Sequence, residues 1–311
     1  MTWYGWAGLL LLAVSEIFLY RRIEPFFSWF YSFAWWSYIL VADAVLFRIR
    51  GRSLLMSRRR ELAAMLPLSV FIWLLFEAYN LVIRNWAYEG VPQQVWLRWP
   101  GYALAFATVL PGIFITSDLV EALVFRKRSG PAASEAVTLE GAPAARTSGL
   151  SICLGILLSV APLVWPRIFF PAVWIGPIFL LNPFLDRLGF KKLSFNRAGG
   201  DRQRLVSLLL GGLFCGVAWE FWNFWAGSRW VYSVPYFGHW KVFEMPLLGF
   251  LGFPPFALEC WILYHLFARL SRRLGPAAAW MWAAIAAVSL VIFFQVDRHT
   301  VLRYATGPFG R

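Results

Sequence analysis

Long apolar runs separated by short basic loops restrict this chain to a membrane-spanning architecture. Several runs reach the roughly 20 residues that a helix needs to cross the hydrocarbon core of a bilayer. Of the 311 residues, 60% are hydrophobic and only 14% are charged, whereas about a quarter of a typical soluble domain is charged. Since a bilayer offers the backbone no hydrogen-bonding partners, such runs are expected to be helical. The sequence therefore predicts an all-α integral membrane protein.

The apolar runs predict about nine transmembrane helices. Loops that follow even-numbered spans hold 19 Lys and Arg, and loops that follow odd-numbered spans hold 7. Basic loops stay in the cytoplasm, so we expect a cytoplasmic N-terminus, in a bacterial inner (cytoplasmic) membrane. The net charge of +13 lies mainly in these loops, and no nucleic-acid partner is predicted. The spans cover roughly residues 4–20, 26–48, 61–84, 101–126, 149–165, 167–186, 205–227, 245–269 and 278–296.

Two parts of the chain carry the same ordered series of residues about 143 positions apart. The match predicts two tandem four-helix repeats, residues 1–126 and 149–270, followed by one extra helix and tail in 271–311. Residues 127–148, rich in Ala, Gly, Ser, Pro and Thr, are predicted to form a flexible cytoplasmic linker. Because each repeat has an even number of spans, both should have the same orientation. The clearest pairs are Glu77 and Glu220, Asn80 and Asn223, Trp86 and Trp230, and Tyr88 and Tyr232.

Carboxylates inside apolar runs are the first candidates for chemistry. A charged side chain near the centre of a spanning helix costs roughly 2.5–3.5 kcal/mol, so such groups usually face protein or water. Glu220 and Asn223 are three residues apart and share one helix face. Glu220 is a candidate proton donor, and Asn223 is predicted to orient its carboxyl group. Alternatively, Glu and Asn bond across the bundle and hold the repeats together.

Aromatic side chains are concentrated around these carboxylates. Aromatic faces stabilise cations, by roughly 2 kcal/mol or more when desolvated. An acid among such rings suits reactions that protonate an alkene and shelter a carbocation, and it would equally suit binding of a quaternary ammonium headgroup. The predicted substrate-binding residues are Trp219, Trp222, Trp230, Tyr232, Asn80, Trp86, Tyr88 and Glu244.

The segment FEMPLLGFLGFPPFALECW, residues 243–261, predicts a broken entry to the eighth span. Irregular backbone is tolerated within a membrane where it is buried in protein or lines a cavity. Glu259 follows the break by about one turn and is predicted to point into the bundle. Its counterpart in the first repeat is Thr116. The predicted catalytic residues are Glu220, Glu259, Glu77 and Asn223.

Together these residues resemble a known family. Glu220, the step Trp230-Val231-Tyr232, Gly252, Pro255 and Glu259 are similar to the pattern of the membrane-bound lycopene cyclases of the heterodimeric bacterial and fused fungal type. In the first half, Glu77, Trp86-Ala87-Tyr88, Pro111 and Asp118 follow the same order. The resemblance implies proton-initiated cyclisation of an isoprenoid end group without a metal, as in carotenoid biosynthesis.

Three functions stay open at the level of sequence. The first is a membrane-embedded enzyme, a cyclase or isomerase, that acts on an isoprenoid or another lipid by metal-free protonation. The second is a lipid or small-molecule transporter or binding protein, and the third is a structural membrane subunit. The three His and three Cys lack metal-ligand spacing, so no metal or other cofactor is predicted. The expected partner is a membrane lipid or isoprenoid substrate, and the oligomeric state is left open.

Overall fold

The computed structural model describes residues 1–125, 149–187, 200–236 and 238–306. The predicted linker, residues 127–148, lies outside the described residues. Helices dominate the rest. In the first half they are α1 (Trp3–Tyr20), α2 (Phe30–Arg50), α3 (Leu54–Ser57), α4 (Arg59–Ile83), α5 (Val95–Phe106) and α6 (Val109–Leu123). In the second half they are α7 (Gly149–Val164), α8 (Pro166–Phe169), α9 (Gly176–Arg187), α10 (Gly200–Trp225), α11 (Phe253–Leu274) and α12 (Ala278–His299).

Seven helical stretches in the described residues are long and apolar enough to cross a membrane. This result agrees with the predicted helical membrane protein. The count differs from the predicted nine because α7, with 16 residues, is short, and because α11 and α12 follow each other within one stretch. The stretches are Trp3–Tyr20, Phe30–Arg50, Arg59–Ile83, Val95–Leu123, Pro166–Leu185, Arg202–Trp225 and Leu247–His299.

Five short strands were not predicted from the sequence. They are β1 (Trp86–Val91), β2 (Arg229–Tyr232), β3 (Lys241–Val242), β4 (Met245–Pro246) and β5 (Val301–Tyr304). β1 lies in the centre of a three-stranded sheet, antiparallel to β2 and parallel to β5. The strands were missed because they are only two to six residues long, too short for a period-two pattern to stand out.

The broken entry to the eighth span is present. Residues Leu247–Gly252 form a 3₁₀ helix, and α11 begins directly after it with two prolines in its first turn. Proline is tolerated at the start of a helix because the first N–H groups have no intrahelical acceptor. The ring of Phe253 in this first turn packs against Trp219 of α10, with ring centroids 5.7 Å apart. The break therefore brings the start of α11 to the aromatic residues around Glu220.

A buried network of four charges joins α2, α6 and α10. Arg50 lies 3.3 Å from Asp118 and 2.9 Å from Glu121, and Arg204 lies 2.8 Å from each of the same two carboxylates. All four side chains are at most 9% exposed. The charges balance, so these intramembrane carboxylates are paired with cations, as buried charges generally must be. The network fixes α10 of the second half against two helices of the first.

Small residues allow α7 and α9 to pack closely. A Cβ added at Gly155 would lie 2.5 Å from the Cα of Leu180, and one added at Gly176 would lie 2.7 Å from the Oγ of Ser159. Small residues four positions apart are a common means of close helix approach in membranes.

We expect Gly155→Ala to destabilise the fold, because the new methyl group meets backbone atoms that cannot rotate away. Overpacking of this kind typically costs about 1–3 kcal/mol. Gly149→Ala is the matched control, since nothing lies within 4 Å of the added methyl group. Thermal unfolding in detergent measures both. Equal melting temperatures for the two variants would contradict the close packing of α7 on α9.

Candidate functional site

Two asparagines join the ends of α4 and α10 to the strands that follow them. The side-chain oxygen of Asn80 accepts from the backbone N–H groups of Asn85 and Trp86, and its amide donates to the Trp86 carbonyl at 2.8 Å. Asn223 accepts from the Trp230 N–H and donates to the Trp230 carbonyl, both at 2.8 Å. Each asparagine thus fixes a tryptophan at the first or second position of its strand. Both hydrogen bonds of the Asn223 side chain go to the backbone of Trp230, so its predicted role in orienting the Glu220 carboxyl stays a prediction.

We expect Asn80→Ala to destabilise the protein more than Asn223→Ala. The first substitution removes three hydrogen bonds and the second removes two, and each buried backbone group left without a partner costs about 1–3 kcal/mol. Chemical unfolding of the two purified variants gives the comparison. The opposite order of stability would show that these bonds are not the main contribution of the asparagines.

The two strands face each other with their aromatic residues in register. In the antiparallel pair, Trp86 lies opposite Tyr232 and Tyr88 lies opposite Trp230. Side chains alternate between the two faces of a strand, so residues two apart share a face. All four rings therefore lie on the same side of the sheet. Pairing of β1 with β2 brings the two aromatic steps, far apart in sequence, next to each other.

Glu77 is held by three donors on one oxygen. Its Oε1 accepts from the Tyr88 hydroxyl at 2.5 Å, from Trp73 Nε1 at 2.9 Å and from Trp86 Nε1 at 3.0 Å. The residue is fully buried. Three donors from α4 and β1 converge on this atom, so Glu77 ties the strand to its own helix. This arrangement matches a structural role for Glu77 within the first half.

Glu220 has a less crowded environment. Its Oε1 accepts from the Tyr232 hydroxyl at 2.8 Å, and that hydroxyl in turn accepts from Trp230 Nε1 at 2.8 Å. Its Oε2 is buried and has no hydrogen-bond partner within the described ranges. Where Glu77 accepts from two indoles and a phenol, Glu220 accepts from one phenol only. Glu77 Oε2 is also buried without a partner in the described ranges, so Glu220 differs from Glu77 in having fewer donors on Oε1 and in lining a cavity.

The two tyrosine hydroxyls act as donors at neutral pH. Burial raises the pKa of Tyr88 well above its ordinary value, and the nearby Glu77 carboxyl raises it further. Burial raises the pKa of Tyr232 in the same way, with Glu220 as the second cause. A phenol with a raised pKa keeps its proton as the pH rises through the neutral range. Both hydroxyls can thus donate hydrogen bonds to their carboxyl partners over the whole physiological range of pH.

A cavity of about 90 Å³ lies between the two halves beside Glu220. Both halves supply aromatic walls, and Glu220 is among the lining residues, whereas Glu77 is not. The prediction of a shared aromatic cavity thus agrees with the structure, but only one of the two acids lines it. Among the lining residues are Tyr31, Trp73, Tyr88, Tyr102, Trp219, Glu220, Trp230 and Tyr232.

The size of this cavity limits what can enter. Sites that enclose a drug-sized ligand usually measure about 300–1,000 Å³, so a cavity of about 90 Å³ takes a small molecule or one end of a longer one. A second hollow of about 40 Å³ shares Trp73, Trp230 and Tyr232 with it and also contacts Trp86. The two hollows together form an aromatic open space between the halves, next to Glu220.

Four predicted substrate-binding residues do not line the main cavity. Trp222 instead packs edge-on against Trp35 of α2, with centroids 5.0 Å apart, and Trp86 and Asn80 hold the strand as described above. Glu244 lies 4.0 Å from Arg229 and 3.5 Å from Lys241, at the edge of the site. Their positions follow from strand and helix contacts that sequence spacing does not show.

Glu259 lies apart from the cavity. It is fully buried in α11, and neither carboxyl oxygen has a hydrogen-bond partner within the part of the chain that the structure describes. It is not among the residues that line the cavity beside Glu220. Thr116, its counterpart by sequence offset, bonds to Tyr38 and to the carbonyl of Gly112. Glu259 is thus not brought together with Glu220 in one site.

Sequence reasoning missed most residues of the cavity wall, among them Trp73, Tyr31 and Tyr102. Trp73 precedes Glu77 by one helical turn, a spacing that could have identified it. Tyr31 of α2 packs edge-on against Trp230 at 5.1 Å, and Tyr102 of α5 packs against Tyr88 at 5.8 Å. No spacing in the sequence links these two residues to the strands, because the contacts arise from packing of separate helices.

In the described part of the chain, no group of three or more His, Cys, Asp or Glu residues could hold a metal ion. Comparison with protein-family models, with curated proteins and with solved structures finds no match for this chain. The geometry around Glu220 is therefore the basis for a proposed function.

Proposed function

We propose that this chain is a membrane-embedded enzyme that transfers a proton to an isoprenoid or a similar lipid. The reaction would be a cyclisation or isomerisation through a carbocation, without a metal. One observation carries the proposal. A fully buried carboxyl group, that of Glu220, lines an aromatic cavity and has one oxygen without a partner among the described residues.

The geometry supports general acid chemistry at Glu220. Tyr232 holds one carboxyl oxygen, so the proton can sit on the other oxygen and point into the cavity. Transfer of this proton to a carbon–carbon double bond forms a C–H bond and leaves a carbocation and a carboxylate. Loss of a proton from a neighbouring carbon to that carboxylate forms a new double bond and restores the acid. The net reaction consumes no proton.

Aromatic walls suit the cationic intermediate. Trp73, Trp219 and Trp230 line the cavity, and the face of an indole ring attracts a cation within about 6 Å. Such rings also expel water, which would otherwise trap the cation as an alcohol. The small volume fits one end group of a linear isoprenoid, and the rest of the chain would extend into the bilayer.

We also propose that the two halves arose as tandem repeats that have since taken different roles. The matched contacts support this view, since each half has a carboxyl bonded to a strand tyrosine and an asparagine bonded to a strand tryptophan. In this proposal Glu220 is the proton donor, and Glu77 has a structural role. The loop charges support a cytoplasmic N-terminus in a bacterial inner membrane.

The test is expression in bacterial cells that accumulate linear isoprenoids of several lengths. We expect a new compound with the mass of its substrate and a different chromatographic retention, because cyclisation and isomerisation conserve the atoms. Cells with an empty vector are the control. Unchanged extracts across the substrate panel, with the protein present in the membrane fraction, would contradict the proposal.

The cavity also supports a second candidate, a transporter or binding protein for a lipid-linked or free quaternary ammonium compound. A carboxyl group among aromatic rings is suited to such a cation. Proteoliposomes that contain the purified protein separate the two functions. Uptake of labelled choline without chemical change favours the second candidate, and conversion of an isoprenoid favours the first.

A further inference from the structure

Resting on the proposed function, we infer that the lipid end that enters the cavity carries a hydroxyl group. The substrate class is then a long-chain isoprenoid alcohol and not a pure hydrocarbon. Polar atoms of the cavity wall that have no partner in the described part of the chain are the basis for this inference.

Three residues of the cavity wall carry such atoms. Glu220 Oε2, Trp219 Nε1 and Trp29 Nε1 are buried and have no hydrogen-bond partner in the described ranges, and all three residues line the cavity. Glu220 is fully buried, and Trp219 is 3% exposed. Polar atoms this deeply buried are normally satisfied, so three of them around one small cavity point to a ligand with polar atoms of its own.

Other indole N–H groups of the cavity wall have partners, although Trp35 Nε1, outside the lining, is also buried without a partner in the described ranges. Trp73 Nε1 donates to Glu77, and Trp230 Nε1 donates to the Tyr232 hydroxyl. These two indoles belong to the same aromatic wall and have partners in the protein. Some indole N–H groups of the cavity wall therefore donate to other protein groups, whereas those of Trp219 and Trp29 have no acceptor in the described part of the chain.

The unpartnered atoms come from separate parts of the bundle. Trp219 and Glu220 lie on α10, whereas Trp29 precedes α2. Trp29 Nε1 lies 3.2 Å from the position that a Cβ would take at Gly101, a residue of α5 that also lines the cavity. A small residue at this point keeps the space in front of that N–H group open.

A hydroxyl group matches this set of atoms. It has one O–H donor and two acceptor lone pairs, so it can donate to the Glu220 carboxyl and accept from an indole N–H. A hydrocarbon end group would leave all three atoms unpaired, and sites built to bond a hydroxyl group strongly reject the analogue that lacks it. We therefore expect a preference for the alcohol of roughly tenfold or more.

Equilibrium binding to the purified, full-length protein tests the inference without any measurement of turnover. The probes are farnesol and β-farnesene, a linear alcohol and a linear hydrocarbon with the same number of carbon atoms. Trp219→Phe keeps an aromatic ring and removes the N–H group. Trp36→Phe is the control, because that indole N–H donates to the Leu104 carbonyl outside the cavity. Comparing variants at one detergent concentration cancels the partition of each probe into micelles.

Tighter binding of farnesol, with a preference that falls several-fold in Trp219→Phe but not in Trp36→Phe, would support the inference. Equal or tighter binding of β-farnesene to the wild type would overturn it and would indicate that water satisfies these atoms. Absence of binding by either probe would also overturn it. A hydrocarbon converted by the enzyme but bound without such a preference would overturn the substrate class alone and leave the proposed protonation intact.

Discussion

Glu220→Gln is expected to abolish product formation while the protein stays folded. Glutamine has nearly the same size, and its amide oxygen can still accept from the Tyr232 hydroxyl, but an amide cannot give up a proton to an alkene. A positioned general acid contributes roughly 10²–10⁴-fold to a rate. Product formed per amount of membrane-inserted protein, measured in cells that supply the substrate, should therefore fall by at least about 100-fold.

Glu77→Gln is the matched control in the other half of the chain. The chemical change is the same, but Glu77 does not line the cavity, and its three donors can still find the amide oxygen. We expect a lower melting temperature and a rate per folded protein within a few-fold of the wild type. Equal losses of activity in both variants would show that the carboxyls act on structure alone, and an active Glu220→Gln protein would exclude Glu220 as the acid.

Arg204→Ala is expected to cause the largest loss of stability. Arg204 lies 2.8 Å from both Asp118 and Glu121, and its removal leaves two buried carboxylates to share Arg50. Breaking a buried ion pair from one side costs about 3–5 kcal/mol, because an uncompensated charge stays in the interior. Against a total stability of about 5–15 kcal/mol, this loss should be visible as poor accumulation and early unfolding in detergent.

Arg303→Ala supplies the comparison for this substitution. Arg303 lies 3.6 Å from Glu89, and its side chain is 71% exposed. Exposed ion pairs contribute at most about 1 kcal/mol, so this variant should unfold close to the wild type. If Arg204→Ala were as stable as Arg303→Ala, the four-charge network would not be what holds α10 against α2 and α6.

The sequence alone was enough to predict the helical membrane architecture and the neighbourhood of the candidate site. Apolar runs of spanning length favour helices, because backbone N–H and C=O groups must form hydrogen bonds with each other inside a bilayer. The spacing of Glu220, Asn223, Trp230 and Tyr232 also pointed to residues that do contact one another. These contacts are local, since they connect the last turns of one helix with the strand directly after it.

Tertiary structure alone decided which acid faces the cavity. Glu77 and Glu220 stand in matching sequence positions, yet three donors surround Glu77 and one surrounds Glu220. The donors to Glu77 are close to it in sequence, but the cavity beside Glu220 is lined by helices that are distant in sequence, and no local pattern records how those helices pack. Pairing of β1 with β2 and the separation of Glu259 from Glu220 have the same cause. Sequence spacing predicts which residues share a helix face, but the packing of whole helices determines which other residues that face contacts.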